Sequence, residues 1–215
     1  MKPPAPTKRQ NGEGAGARAQ KAAARREAIL AASLDEFSAR GFAATRLDDV
    51  ARHAGVAKGT IYLHFRDKEA LFQELIRSEL SPFVGTIEAV LKSDVPSRAL
   101  AEQVVELFVA QVYFTRRKDV IRLILAEGPR FPAMAEFYYH EVLARIMCGV
   151  RAFMRRAVAR GEVRSDAIAR FPQLMGAPAV VAILWGTLFD RFEPLDVRAL
   201  MRAHFEILFD DRSAS

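Results

Sequence analysis

Apolar residues recur at intervals of three and four along most of this chain, and no two stretches alternate like paired strands around a hairpin turn. That spacing constrains the fold more than any other feature, and it predicts an all-α protein. No solenoid-length repeat interrupts it. With 215 residues and 51% hydrophobic side chains, the chain has material for a core and for two modest domains. The expected division is a basic arm over residues 1–20, a small helical domain over 21–66 and a larger helical domain over 67–215.

Charge separates the arm from the rest. Residues 1–26 hold seven basic side chains against Glu13, which accounts for the whole net charge of +6. The Pro-, Gly- and Ala-rich composition there buries no core, so the arm is expected to stay mobile and to suit a polyanion, although a solvated tail has the same composition. Cys148, the single cysteine, has no intrachain partner, and the first residues lack the apolar run of a secretory signal. The expected location is cytoplasmic.

One segment tests a membrane reading. Residues 171–189 carry no acid or base, which approaches the length of a bilayer span. Pro172, Gly176, Pro178 and Gly186 interrupt it, and no other segment is comparable. The prediction is a buried helix opened by Ser165 or Asp166, with no membrane partner.

The amino-terminal pattern is sharper. A first helix is expected from Lys21 to Arg40, with Leu30, Leu34 and Phe37 inward and Gly41 closing it in the left-handed conformation. Thr45 then opens a second helix as its cap, with Asp48 in the capping-box position and Leu47, Val50, Ala51 and Ala54 on one face. Gly55 breaks that helix, and a short third one runs through Lys58 and Ile61 to Phe65. Two short helices around a glycine turn make a helix-turn-helix. Lys58, Gly59 and Thr60 present a cation, a bare backbone and a hydroxyl, which suits close approach to the major groove of DNA.

Gly41-Phe42-Ala43-Ala44-Thr45, then Val50-Ala51, then the run from Gly55 through Tyr62-Leu63-His64-Phe65 to Leu71, closely resembles the amino-terminal domain of tetracycline-repressor (TetR) family transcription regulators. The likeness covers roughly residues 24–72, and one departure is Glu36, where the family usually has an apolar residue. The resemblance implies a three-helix helix-turn-helix domain followed by a larger ligand-binding and dimerisation domain. It implies a homodimer whose two domains grip a near-palindromic double-stranded operator. Carried over by motif position, Thr45, Tyr62, His64 and Lys68 are expected at phosphates, and Arg46, Lys58, Gly59 and Thr60 at the groove.

The larger domain reads less specifically. A long helix from Asp67 towards Lys92, bent at Ser81-Pro82, is the natural lever of a switch. Further helices are expected from Pro96, Asp119 and Pro132, the last ending at Gly161 and carrying Arg151, Arg155, Arg156 and Arg160 on a solvated face. Asp196 should cap the final helix. The last two helices resemble the family's dimerisation pair, with Gly176, Ala179, Ile183, Leu200, His204 and Leu208 expected at the interface. Phe108, Gln111, Tyr138, Met147 and Trp185 combine bulk with polar handles and are the expected pocket for an amphipathic or aromatic effector.

No cofactor and no metal are expected, because the four histidines are scattered and no carboxylate or cysteine cluster accompanies them. The chain carries no nucleotide loop or nucleophile elbow, so an enzyme is disfavoured. The leading expectation is a repressor released from its operator by a small molecule; a constitutive or architectural DNA binder without an effector is the alternative.

Overall fold

The computed structural model describes residues 11–163, 165 and 167–209, with side chains from residue 16 onward. Among these residues the chain is helical, and its one β-like feature is an isolated antiparallel bridge between Val163 and Phe209. Two compact units divide it, one ending at Phe72 and the other beginning at Gln73.

In the first unit, α1 (Asn11–Ala44) begins ten residues before the expected Lys21. The run around Ala22, Ala23 and Ala24 favours helix strongly enough to extend it into the segment read as an arm. Residues 1–10, with Lys2, Lys8 and Arg9 of that arm, lie outside the described residues. Regular geometry fails at Gly41, where φ is 77° and ψ is 163°. The φ is positive as expected, but the extended ψ belongs to a region essentially reserved for glycine and not to the left-handed helical one.

α2 (Leu47–His53) and α3 (Lys58–His64) follow. The turn between them is a Schellman closure: Val56 N–H donates to the Ala51 carbonyl at 3.0 Å and Gly55 N–H to that of Arg52 at 3.2 Å, with Gly55 at φ 66°. Behind it, Phe37, Phe42 and Phe72 form an aromatic triangle with ring centroids 5.3, 5.6 and 5.9 Å apart. Val50, Ile61 and Phe65 are buried in the same unit. Apolar burial of this density is what holds two seven-residue helices that would not persist in isolation.

α4 (Lys68–Lys92) starts where Asp67 accepts the Ala70 N–H at 2.7 Å, a side-chain cap, and contains Pro82 within its run. In the second unit, α5 (Ser97–Phe108) passes into a π-helical turn (Val109–Tyr113), and α6 (Arg117–Glu127) follows. α7 (Pro132–Tyr138), a second π turn (Tyr139–Leu143) and α8 (Ala144–Ala159) run consecutively where one helix was expected. Gly161, at φ 67°, closes α8 with the same Schellman pattern as Gly55.

The long uncharged segment is not one helix. α9 (Ala167–Arg170) precedes it, and the segment itself divides into a 3-10 turn (Pro172–Met175) and α10 (Ala177–Leu188). Pro172 and Pro178 supply no amide hydrogen, and each sits at the start of a new element where none is needed. Ser165 Oγ accepts from Ala167 N at 3.1 Å, and Asp166 lies outside the described residues. No helix among the described residues is long and apolar enough to cross a membrane. α11 (Val197–Leu208) opens on Asp196, whose carboxylate accepts the Ala199 N–H at 3.0 Å.

The arginines of α8 correct another expectation. Arg151 and Arg155 are exposed as expected, but Arg156 donates to the Leu91 carbonyl at 2.6 Å, and Arg160 donates to the Val95 carbonyl and pairs with Asp94. Guanidinium groups answer the orphan carbonyls and negative dipole at the end of α4. Arg145 adds a bidentate pair to Glu88, both bonds 3.0 Å, and its guanidinium holds that carboxyl below the usual range.

Candidate nucleic-acid interface

The short helices α2 and α3 bury one side each and expose the other. Ile61 is the buried anchor of α3, while Lys58, Gly59, Tyr62, Leu63 and His64 are exposed around it and Thr60 is half-buried. A Cβ built on Gly59 would meet no atom of the protein within 4 Å, and its φ is not positive. Internal packing therefore does not require glycine there. Arg46, the first residue before α2, is exposed beside this face, and its carbonyl accepts the amides of Asp49 and Val50.

Asp48 joins the two helices. Lys58 Nζ donates to its Oδ2 at 2.8 Å, and the Tyr62 hydroxyl donates to its Oδ1 at 3.3 Å. The neighbouring ammonium holds the Asp48 carboxyl below its ordinary range, and the carboxylate raises Lys58 in turn. Asp48 was expected only as a capping-box partner, and Leu63, 87% exposed, was not expected in the site at all. The signal for Leu63 was available: it lies one helical turn beyond Gly59.

Two residues assigned to phosphates are engaged elsewhere. Thr45 does not cap α2; its residue is 2% exposed and its hydroxyl donates to the carbonyls of Gly41 at 2.8 Å and Glu36 at 3.1 Å. The break at Gly41 strands those carbonyls, and an inward hydroxyl answers them better than one facing solvent. Lys68 Nζ donates to the carbonyls of Phe42 at 2.9 Å and Ala43 at 2.8 Å, and sits 4.7 Å from the Phe42 ring centre. The ammonium thus answers the end of α1. Arg46, Lys58, Gly59, Thr60, Tyr62 and His64 remain on or near one exposed surface.

Glu36, the departure from the motif, also has a local explanation. His53 Nδ1 lies 3.0 Å from one of its oxygens and Arg40 Nε lies 3.2 Å from the other, so α1 and α2 are joined by a polar contact where an apolar one is usual.

In the second unit the expected pocket residues do not line one described space. Phe108 is buried core beside Tyr113, and Met147 packs on the same core. Gln111 lies in the first π turn, where its carbonyl accepts from Thr115 and from Arg117 Nη1. Trp185 donates to the Glu193 carbonyl at 2.8 Å and meets Phe189 edge-on. Tyr138 is half-buried as a residue but its phenol end is enclosed, which pushes its pKa up to about 12. Two open depressions of this unit have other linings, one around Gly186 and Arg191, the other around Arg98 and Phe205.

The residues expected at a dimer interface are buried or half-buried within their own unit. Ile183 is 2% exposed, and Ala179, Leu200 and Leu208 pack on the core of their own unit. Gly176 is half-buried, and His204 Nε2 lies 2.8 Å from the Leu174 carbonyl. The exposed apolar residues are instead Val180, Val181, Leu184 and Leu188 on α10, with Ile207 of α11. No group of metal-ligand residues occurs among the described residues, and Cys148 is exposed.

A glycine-turned pair of short helices with a basic, aromatic and hydroxylic face defines a helix-turn-helix DNA-binding regulator. Comparison with known proteins agrees. Residues 29–75 match the family pattern of bacterial regulatory proteins, tetR family, and residues 98–189 match that of the AefR-like transcriptional repressor, C-terminal domain. The chain belongs to the TetR family of transcriptional regulators. It is 35% identical over 129 residues to the HTH-type transcriptional regulator RutR of Escherichia coli strain K12, across 60% of this chain and 53% of RutR. It therefore spans about half the length of that relative. Among solved structures, the complex of SmeT with triclosan, SmeT being the repressor of a Stenotrophomonas maltophilia multidrug efflux pump, superposes with a TM-score of 0.69 at 20% identity, covering 87% of this chain and 93% of the other. Bacillus subtilis FadR in complex with stearoyl-CoA gives 0.65 at 17%, covering 84% and 96%. These two likenesses establish the fold.

Proposed function

We propose that the protein is a cytoplasmic repressor that binds a near-palindromic operator as a homodimer and releases it when a small amphipathic or aromatic molecule binds the second unit. The observation that carries the DNA reading is Gly59: an exposed glycine with no internal reason to be one, between Lys58 and Thr60 on the outer face of α3. A bare backbone there lets another molecule approach closely. Arg46, Lys58, Gly59 and Thr60 are the groove-facing set, and Tyr62 and His64 reach phosphates, with Leu63 available to a thymine methyl group. Thr45 and Lys68 serve the site by holding the turn after α1 in shape.

Dimerisation is supported by the stripe of Val180, Val181, Leu184 and Leu188, an apolar surface that a lone subunit would leave in water. A two-fold pair of copies matches a near-palindromic operator, whose half-sites are expected about one helical turn apart. The match to a repressor carboxy-terminal pattern supports repression over activation. Release follows from differential affinity alone: weakening operator binding a hundredfold takes about 2.7 kcal/mol of coupling.

The test is selection of bound fragments from random duplexes by the purified full chain, then a screen of small molecules for release of the selected fragment. A discrete two-fold-related sequence and a releasing compound are expected. Broad coverage of any duplex, unaffected by every compound, would leave the architectural alternative instead.

A further inference from the structure

Asp48 is an acid on a surface that otherwise offers DNA cations and hydroxyls. Its side chain is 33% exposed and that of Lys58 is 69% exposed, so the pair is not demanded by burial. An exposed pair of this kind contributes little to stability. Asp49, its neighbour in the first turn of α2, already supplies a carboxylate to Arg40 and Arg52, so the acidic residue favoured near a helix start is present without Asp48. What Asp48 does alone is reach across the turn, one oxygen to Lys58 Nζ and the other to the Tyr62 hydroxyl.

A carboxylate holding a cation and a hydroxyl on two oxygens occupies donors that DNA would otherwise use, at a base edge or at a phosphate. We propose that Asp48 is a positioning and specificity-setting residue: it holds Lys58 and Tyr62 in the orientation used on the operator and competes with phosphate for both where base contacts are missing. On an arbitrary duplex, giving up these contacts brings little in return, and the carboxylate also repels the backbone. On the operator, the orientation that Asp48 imposes is the one in which α3 meets base edges, so the two contacts are kept and that loss is not incurred. Asp48 thus lowers affinity for all DNA but lowers it most where base contacts are missing, which is discrimination by an unfavourable element. This rests on the DNA reading of α3 given above.

The experiment compares the full-length wild type, Asp48→Asn, Asp48→Glu, Lys58→Ala and the Asp48→Asn/Lys58→Ala double variant on the selected operator and a random duplex across a salt series. Asp48→Asn is expected to bind random duplex about tenfold more tightly, with the operator-to-random ratio falling by a similar factor. Its salt slope should steepen by about one, because an unpaired Lys58 displaces one more counterion. Asp48→Glu should keep most of the wild-type ratio, and the Asn substitution should lose most of its effect when Lys58 is absent. A merely structural role predicts a fall in both affinities with no change in slope, and that result would overturn the proposal. Equal gains on both duplexes would also overturn it while leaving the DNA reading intact; failure of the wild type to bind any duplex would remove the DNA reading itself and Asp48's role with it.

Discussion

The two units bury apolar surface in opposite styles. In the first, a compact aromatic core carries short helices whose outer faces are polar, so exposure and chemistry coincide at Lys58, Tyr62 and His64. In the second, long helices bury a larger core and still leave Val180, Val181, Leu184 and Leu188 in the open. The difference teaches that a polar outer face names its own partner through donors and charge, whereas an apolar outer face says only that something covers it. On the proposed reading, the first unit meets a polyanion and the second another apolar surface.

The strongest way to break that contrast is to remove the core that supports the polar face. Phe37→Ala takes a fully buried ring from the aromatic triangle and is expected to cost about 3–5 kcal/mol. Hydrogen exchange should then show lost protection in α2 and α3 with the core amides of α5 and α8 still protected; uniform loss would mean the units unfold together.

The apolar face is tested next. Leu184→Glu puts a charge into the exposed stripe of α10 and should weaken self-association by about 2 kcal/mol or more. Sedimentation would register this as a shift toward monomer at concentrations where the wild type is dimeric, and an unchanged mass would move the interface elsewhere. Close packing inside the second unit gives a third test. A Cβ on Gly186 would collide with the Tyr113 hydroxyl, so Gly186→Ala is expected to destabilise by about 1–3 kcal/mol, and Tyr113→Phe in the same chain should restore part of it. Thermal melts of the three variants decide this; no rescue would mean the strain lies in the backbone.

The smallest effect concerns Lys68. Because its ammonium answers the carbonyls of Phe42 and Ala43, Lys68→Ala should lower stability by about 1 kcal/mol and leave the salt slope of DNA binding almost unchanged. A slope reduced by about one would return Lys68 to the phosphate contacts.

Legibility in the sequence followed the same division. The helix-turn-helix and most of its outward set were readable because Gly55 dictates one turn and a small buried face on α3 leaves only one outward orientation. The Thr45 cap does not form, and the carbonyl contacts of Thr45 and Lys68 are not legible, because a motif records which residue stands at a position, not which way its side chain turns once Gly41 has exposed carbonyls nearby. In the second unit, Asp196 and Gly161 marked helix ends correctly, since caps are local chemistry. The phase of α10 was not readable: a helix apolar on nearly every side has no polar face to orient it, so Ile183 was placed outward when it faces the core.

From the residues alone came the helical class, the glycine turn, the resemblance at residues 24–72 and the helix ends, all of which depend on contacts within a few positions. Tertiary structure decided which hydroxyl turned inward, which lysine capped a helix, how the uncharged segment divided into two elements and which apolar residues stayed outside. Those outcomes depend on which carbonyls a helix break leaves unanswered and which helices pack alongside, and residue spacing alone does not encode either.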